Sequence, residues 1–439
     1  MRHLAALLAV VVAAPPAPAT AQDTTRTVPS RDSTRTEQGD SIVRRAPPPP
    51  PMTRADTLRA LRERLDTVKI DGEPVEQPNE ELSVGTGPAW RTSYFPYITG
   101  GSGGGPLLAV RIRRSQPAEF EERVTTRGSI SLDLGMGLHG NRFATARFNA
   151  PLLTRNLRTV VTLSAIREAR FGFYGFGNGT EIDDARVEGD ESAYRVTRTR
   201  YIALGEVSRR IAGPLYISGL GGFEATRMYS LSGTSVFQEH YGNELEETDF
   251  IGRISLVADT RNNEFNTTRG WLLDAGLQGG TGGDGYRRLY GVASAWLPLR
   301  ATTTVALRVG GSNISSGAPS LNARFSVPTW EDPISVYGGG NSNRGLVRGR
   351  FTGTGVLFTN VEVRQDLYPL GTLGYITVIG FVDAGRVFEA EKFRITTDGM
   401  HVGAGGGLAL RLLRSSIFTA TFARGSDGFK FSAGSGWMF

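Results

Sequence analysis

The chain has 439 residues, no cysteine, 57 glycines, and 49 basic against 43 acidic residues, for a formal charge of +6. The absence of cysteine excludes a disulfide framework, and the interspersed charges exclude a nucleic-acid footprint. Beyond the first twenty-odd residues no apolar run reaches the roughly 20 residues a membrane helix needs, so any membrane-spanning part must be a closed β-barrel.

Met1-Arg2-His3, an apolar run from Leu4 to Ala14, and Ala19-Thr-Ala21 before Gln22 describe a secretory signal peptide over 1–21. No cysteine follows to carry a lipid anchor. Residues 22–88, rich in Thr, Arg, Ser and Pro with an unbroken Pro47–Pro51, read as a disordered periplasmic tether. Within it Leu58, Leu61, Leu65 and Val68 share one face of a short helix near 55–69, which Thr53 or Asp56 could cap.

From residue 89 to 439 the texture becomes alternating apolar and polar segments punctuated by Gly, Asn, Asp and Pro. Trp271, Leu273, Ala275 and Leu277 alternate with Leu272, Asp274, Gly276 and Gln278; Val361 and Val363 with Asn360, Glu362 and Arg364. One greasy and one wet face per strand is the pattern of a transmembrane barrel with lipid outside and a polar lumen. About 350 residues in segments of about 22 predict an all-β, antiparallel transmembrane barrel of about 16 strands. At the C-terminal end Phe429, Phe431, Ala433, Trp437 and Phe439 share one parity, which predicts a closing strand whose aromatic rings, Trp437 and Phe439 included, face lipid.

The alternatives are weak. His139, His240 and His401 sit in no catalytic or metal-binding arrangement, so neither enzyme activity nor a metal site is expected. Gly100–Gly105 lacks the Lys-Ser/Thr ending of a phosphate loop. Glu181–Glu191 is acid-rich, and a solvated external loop outweighs a calcium site.

Four stretches go beyond a generic barrel. They are Tyr337-Gly338-Gly339-Gly-Asn-Ser-Asn-Arg344-Gly345-Leu346, Asn360-Val-Glu362-Val-Arg364, Phe381-Val-Asp383-Ala-Gly385, and the run from Asp259 to Trp271. Together they resemble the bacterial surface-antigen superfamily of outer-membrane barrels, the BamA/TamA type, which includes two-partner secretion transporters. The resemblance implies that an extracellular loop folds back into the lumen, and that its arginine, matched by Arg344, pairs with an acidic residue of the Phe-x-Asp-x-Gly strand, matched by Phe381, Asp383 and Gly385. Glu362 matches the acidic position on the strand after the loop, and Gly338, Gly339 and Gly345 frame the tip. Asn343 and Leu346 depart from the family pattern, and Arg348 of Val347-Arg-Gly-Arg-Phe351 is a second candidate tip. Lumenal parity independently places Glu362, Arg364 and Asp383 where an inserted arginine could meet them. Gly434, Trp437 and Phe439 fit the family's C-terminal assembly signal. The resemblance further implies outer-membrane location, contact with outer-membrane lipid and lipopolysaccharide, recognition by the outer-membrane assembly machinery, and a role in insertion, translocation or lipid handling, without cofactor or nucleic acid. The physical route would be a weak seam between the first and last strands, which locally thins or opens the bilayer; the rival reading is a passive channel gated by the inserted loop. Residues 22–88 carry no pattern of the periplasmic modules that precede such barrels, which suggests a module-free branch.

Overall fold

The structure, a computed structural model, describes residues 89–439 apart from 102–104, 120–121, 155, 331–334, 372–373, 390 and 413–415. The expected signal peptide, tether and 55–69 helix lie outside the described residues. The strands in chain order are β1 (Arg91–Gly101), β2 (Gly105–Pro117), β3 (Thr126–Gly137), β4 (Arg142–Thr154), β5 (Leu157–Gly172), β6 (Arg195–Ala212), β7 (Leu215–Ser230) and β8 (Glu244–Asp259). They continue with β9 (Gly270–Gly280), β10 (Gly285–Arg300), β11 (Thr303–Ala318), the short loop strands β12 (Ser326–Val327) and β13 (Ser335–Val336), β14 (Gly355–Pro369), β15 (Gly374–Phe388), β16 (His401–Leu412), β17 (Ser416–Gly425) and β18 (Gly428–Ser435). All but β12 and β13 form one closed antiparallel barrel of sixteen strands, each paired to its neighbour in sequence, with β1 and β18 meeting at the seam. Closure joins the two edge strands, as a membrane barrel requires, though over a short stretch.

The period of two decides which face meets lipid. On β9, Leu273 and Leu277 are 45% and 65% exposed whereas Asp274 and Gln278 are 3% and 7% exposed. Exposed leucine outside and buried carboxylate inside invert the order of a soluble protein and define a membrane belt around a polar lumen. The same alternation exposes Val361 and Val363 on β14 and Val378 and Val382 on β15. Inside, charges are matched rather than solvated: Arg253 reaches Glu206 at 2.9 Å, both buried.

The two rims differ. One carries short turns. The other carries long connections with three short helices, α1 (Asp184–Gly189), α2 (Val236–Tyr241) and α3 (Leu321–Phe325). Long loops mark the extracellular side of such barrels. Asp183, Ser235 and Ser320 cap the three helices by accepting first-turn N–H groups. Phe173, Phe237, Leu321 and Phe325 pack with Phe171 and Val336 into an apolar cluster at this end. The acid-rich run thus contains a helix: Asp183 caps it, and Asp190 accepts from Ser192 N and Thr234 Oγ1 at 2.8 Å each.

Candidate functional site

The connection from β11 to β14 folds into the lumen. Gly338 and Gly339, at φ +90° and +79°, make a turn that side chains with a Cβ rarely adopt. Gly338 N donates to Ser342 Oγ at 2.6 Å and Gly339 N to Asn343 O at 2.9 Å. The turn aims Arg344 at the β14–β15 wall. Its Nε and Nη2 donate to the two oxygens of Asp383 at 2.8 and 2.9 Å, and its own backbone N–H donates to Oδ2 at 3.0 Å. Its Nη1 reaches Glu362 Oε2 at 2.5 Å. The guanidinium carbon lies 3.4 Å from the centroid of the Phe381 ring. Side-chain exposure is 3% or less for Arg344, Asp383 and Glu362, so the bidentate pair is closed to water. Burial alone would lower the Arg344 pKa. The bonds and charges of Asp383, then Glu362, outweigh it and raise the pKa above the ordinary value.

The strands bring these partners together by register. Asn360 faces Asp383 and Glu362 faces Phe381 across β14 and β15. Asn360 Nδ2 donates to both Asp383 Oδ1 (2.8 Å) and Ser342 O (2.6 Å), tying strand to loop. Arg364 Nε donates to the other oxygen of Glu362 at 2.7 Å. Gly345 passes so close to β16 and β17 that a Cβ there would lie 2.5 Å from Gly403 Cα and 3.1 Å from Gly425 Cα. At Gly385 a Cβ would meet the buried Tyr337 hydroxyl at 2.3 Å. Gly338, Gly339, Arg344, Gly345, Glu362, Phe381, Asp383 and Gly385 therefore converge on one site. Arg344, not Arg348, is the arginine at the carboxylates: Arg348 is half exposed and meets Glu168 at 2.8 Å. Asn360 carried no role in the sequence reading, although it sits on the lumenal parity of a quoted motif. Arg350 was missed too; it bonds Asp427 Oδ1 at 3.1 Å and Thr180 O at 2.7 Å.

The seam lies beside this lock. Among the described residues β1 and β18 pair at two positions, Gly100 with Ala433 and Gly101 with Ser432. β1 pairs with β2 at eleven positions and β17 with β18 at eight. Further along the seam Phe95 stacks on Phe418 with ring centroids 5.0 Å apart.

Residues after Ser435 correct the expected closing strand. Phe429 (76% exposed) and Phe431 (41%) do face outward, and Gly434 stays in β18 opposite Thr419. Trp437 and Phe439 do not face lipid. Gly436 takes φ +93° and ends the alternation, and the segment turns inward. Trp437 Nε1 donates to Asn266 Oδ1 at 3.0 Å, and Arg364 lies 4.1 Å from its ring centroid. The Phe439 ring sits 4.7 Å from the Arg308 guanidinium and 6.3 Å from the Trp296 ring, and its carbonyl accepts from Arg364 Nη2 at 2.9 Å. The lumen offers these rings guanidinium contacts, which lipid cannot.

Asn266 belongs to the β8–β9 turn, the fourth quoted stretch. Arg158 donates to both oxygens of Glu264 at 2.7 and 2.6 Å. Arg123 bridges Glu264 (3.2 Å) and Asp259 (2.9 Å), and Arg261 holds Asp259 at 3.0 Å. Burial pushes the Glu264 carboxyl up, but the bonds and charge of Arg158, then Arg261 and Arg123, hold it down to about 2. From this anchor Phe265 packs with Trp437 against Ile379, Phe381 and Ile417, so the turn spans the lumen from β8–β9 to β15–β17.

The histidines are scattered: His240 Nδ1 lies 2.9 Å from Val236 O and His401 Nε2 3.0 Å from Asn178 O. Among the described residues no group of His, Asp or Glu is arranged to hold a metal.

The sequence matches no protein-family model and no curated protein. Solved structures do match. BamA from Haemophilus ducreyi lacking POTRA domains 1–3 is 13% identical, with 79% of this chain and 70% of that one covered at a TM-score of 0.50. CdiB from Escherichia coli is 12% identical, with 79% of this chain and 63% of that one covered at a TM-score of 0.51. This chain therefore spans less than two thirds of the length of that CdiB. At such identity the likeness is one of fold. A closed, even-stranded barrel with an apolar belt is an outer-membrane architecture, and the chain is a sixteen-stranded outer-membrane β-barrel with the fold of BamA and CdiB.

Proposed function

We propose that the barrel is an outer-membrane insertion or translocation factor that works by parting the β1–β18 seam, while the Arg344 loop braces the wall on the β18 side of it. The observation that carries this reading is the seam itself. Two paired positions against eleven and eight on its flanks make it the place where the wall parts with the least loss of hydrogen bonds. The lock fits a brace: the loop is tied through Asp383, Glu362 and Asn360 to β14 and β15 and through Asp427 to the β17–β18 turn. A parted seam locally thins or opens the bilayer for a client strand or lipid. The C-terminal aromatic residues would be read by the assembly machinery before folding, and their lumenal position is the folded end state.

The second reading, a passive channel, draws on the same inserted loop as a constriction. Planar-bilayer recording separates them. The seam reading expects no steady large conductance from the purified barrel, together with faster insertion of an unfolded barrel client into vesicles that contain it. A steady large pore without such acceleration would favour the channel.

A further inference from the structure

The outer surface of β4–β7 holds a second site, away from seam and lumen. Cross-strand register aligns one outward-facing row at the long-loop end: Arg142 is opposite Arg167, Arg167 opposite Thr199, and Thr199 opposite Arg227. The next row toward the belt aligns Ala144, Ala165, Tyr201 and Ala225. The row below that is apolar, with Leu163, Ala203 and Phe223 in register. Outward orientation follows from burial: Tyr201 is 57% exposed, while Arg198, Arg200, Glu224 and Thr226 on the opposite parity are buried.

Two features of these rows are unusual. Arg142 and Arg167 are like charges directly opposite each other, an arrangement that destabilises a sheet when nothing lies between them. Among the described residues neither has a hydrogen bond or ion pair, whereas Arg227 is neutralised by Glu244 and Glu246. The alanine row is also a trough. A cavity of about 840 Å³ lies over Ala144, Ala165 and Ala225, bordered by Tyr201, Tyr229 and the arginines. Small residues in a membrane belt leave room for something to lie against the wall. Tyrosines beside them mark the level of the lipid headgroups.

We propose that this face binds a phosphate-bearing lipid of the outer leaflet, with its phosphate between Arg142 and Arg167 and an acyl chain along the alanine trough. A phosphate resolves the like-charge pair, since guanidiniums take phosphate oxygens bidentately. The trough accounts for the alkyl part, and the tyrosines set its depth. The proposal rests on the outer-membrane location and not on the seam: lipid binding is measured without any transport, so the two can fail separately.

The test uses the purified full-length barrel in detergent. Its probes are lipid A with its phosphates, the same lipid with the phosphates removed, and inorganic phosphate alone. Binding of the phosphorylated lipid is expected, weakened about tenfold or more by Arg142→Gln with Arg167→Gln. Ala165→Trp, which fills the trough and leaves the charges in place, should weaken it as well. Arg114→Gln, on the outer face at the turn end, should leave binding unchanged, and heat-modifiable gel mobility reports that each variant is folded. Equal binding of the two lipid forms, displacement by inorganic phosphate at matched concentration, or no loss in the double variant would each overturn the proposal.

Discussion

Arg344 shows how much a single side chain fastens. Removing it leaves Asp383 without its cation and Glu362 with Arg364 alone, both carboxylates almost fully buried, and breaking a buried ion pair from one side costs about 3–5 kcal/mol. Arg344→Ala should therefore lower the free energy of unfolding by that amount, read as a lower urea midpoint for loss of the fast-migrating folded band, and expose the loop to protease. Arg344→Lys should recover only part, because a point charge cannot hold Asp383 bidentately. Unchanged unfolding and proteolysis would show that the loop is held by other contacts. Glu264 gives a pH-dependent counterpart. Its folded pKa of about 2 lies below the ordinary glutamate value of 4.5, so its contribution is fully present above about 4.5 and fades as pH falls toward 2. The β8–β9 turn should loosen across that acid window, read by amide exchange at Asn262–Thr268, and Glu264→Gln should flatten the response. A turn whose protection, after correction for intrinsic exchange, stays constant from pH 5 to about 2.5 would contradict the linkage. Arg344, Asp383 and Glu362 could be read from sequence because motif and parity agreed on them. Asn360 and Arg350 could not, because an amide or guanidinium takes its meaning from whichever loop atom reaches it.

At the scale of the element, β18 carries the lesson. Alternation read the strand correctly up to Ser435 and failed at Gly436. Aromatic rings suit lipid and guanidiniums alike, and nothing local says that a glycine uses its freedom to turn. Placing an arginine at Phe431, which faces outward, should cost about 2–4 kcal/mol at mid-depth. Outer-membrane yield should fall accordingly, while Lys430→Ala should change stability by under about 0.5 kcal/mol. That period of two should stop at Gly436. Cysteines at Asn266 and Trp437, placed in a chain without any other, should be joined by a short bismaleimide, which spans the length of a Trp contact, when the segment is docked. Adding Gly436→Val, strained at φ +93° by about 1–2 kcal/mol, should reduce the cross-linked fraction. A cross-link that fails to form in the otherwise unaltered barrel would show the segment outside the lumen.

For the whole molecule, sixteen strands, the apolar belt and the inserted loop were all legible, since each is written in local periodicity or in a contiguous motif. The seam was not. How far β1 and β18 pair depends on two segments more than three hundred residues apart, and on Gly436 withdrawing the end of one of them. The account stands on that seam opening. Cysteines at the registered pair Gly101 and Ser432 would close it, because opposed antiparallel residues lie within about 5 Å at Cβ, near disulfide reach. The measurement is client insertion into vesicles by the oxidised and the reduced protein, with folding checked by heat-modifiable mobility. The account expects the oxidised barrel to do no better than lipid alone and reduction to restore activity; equal insertion by the two forms would contradict it.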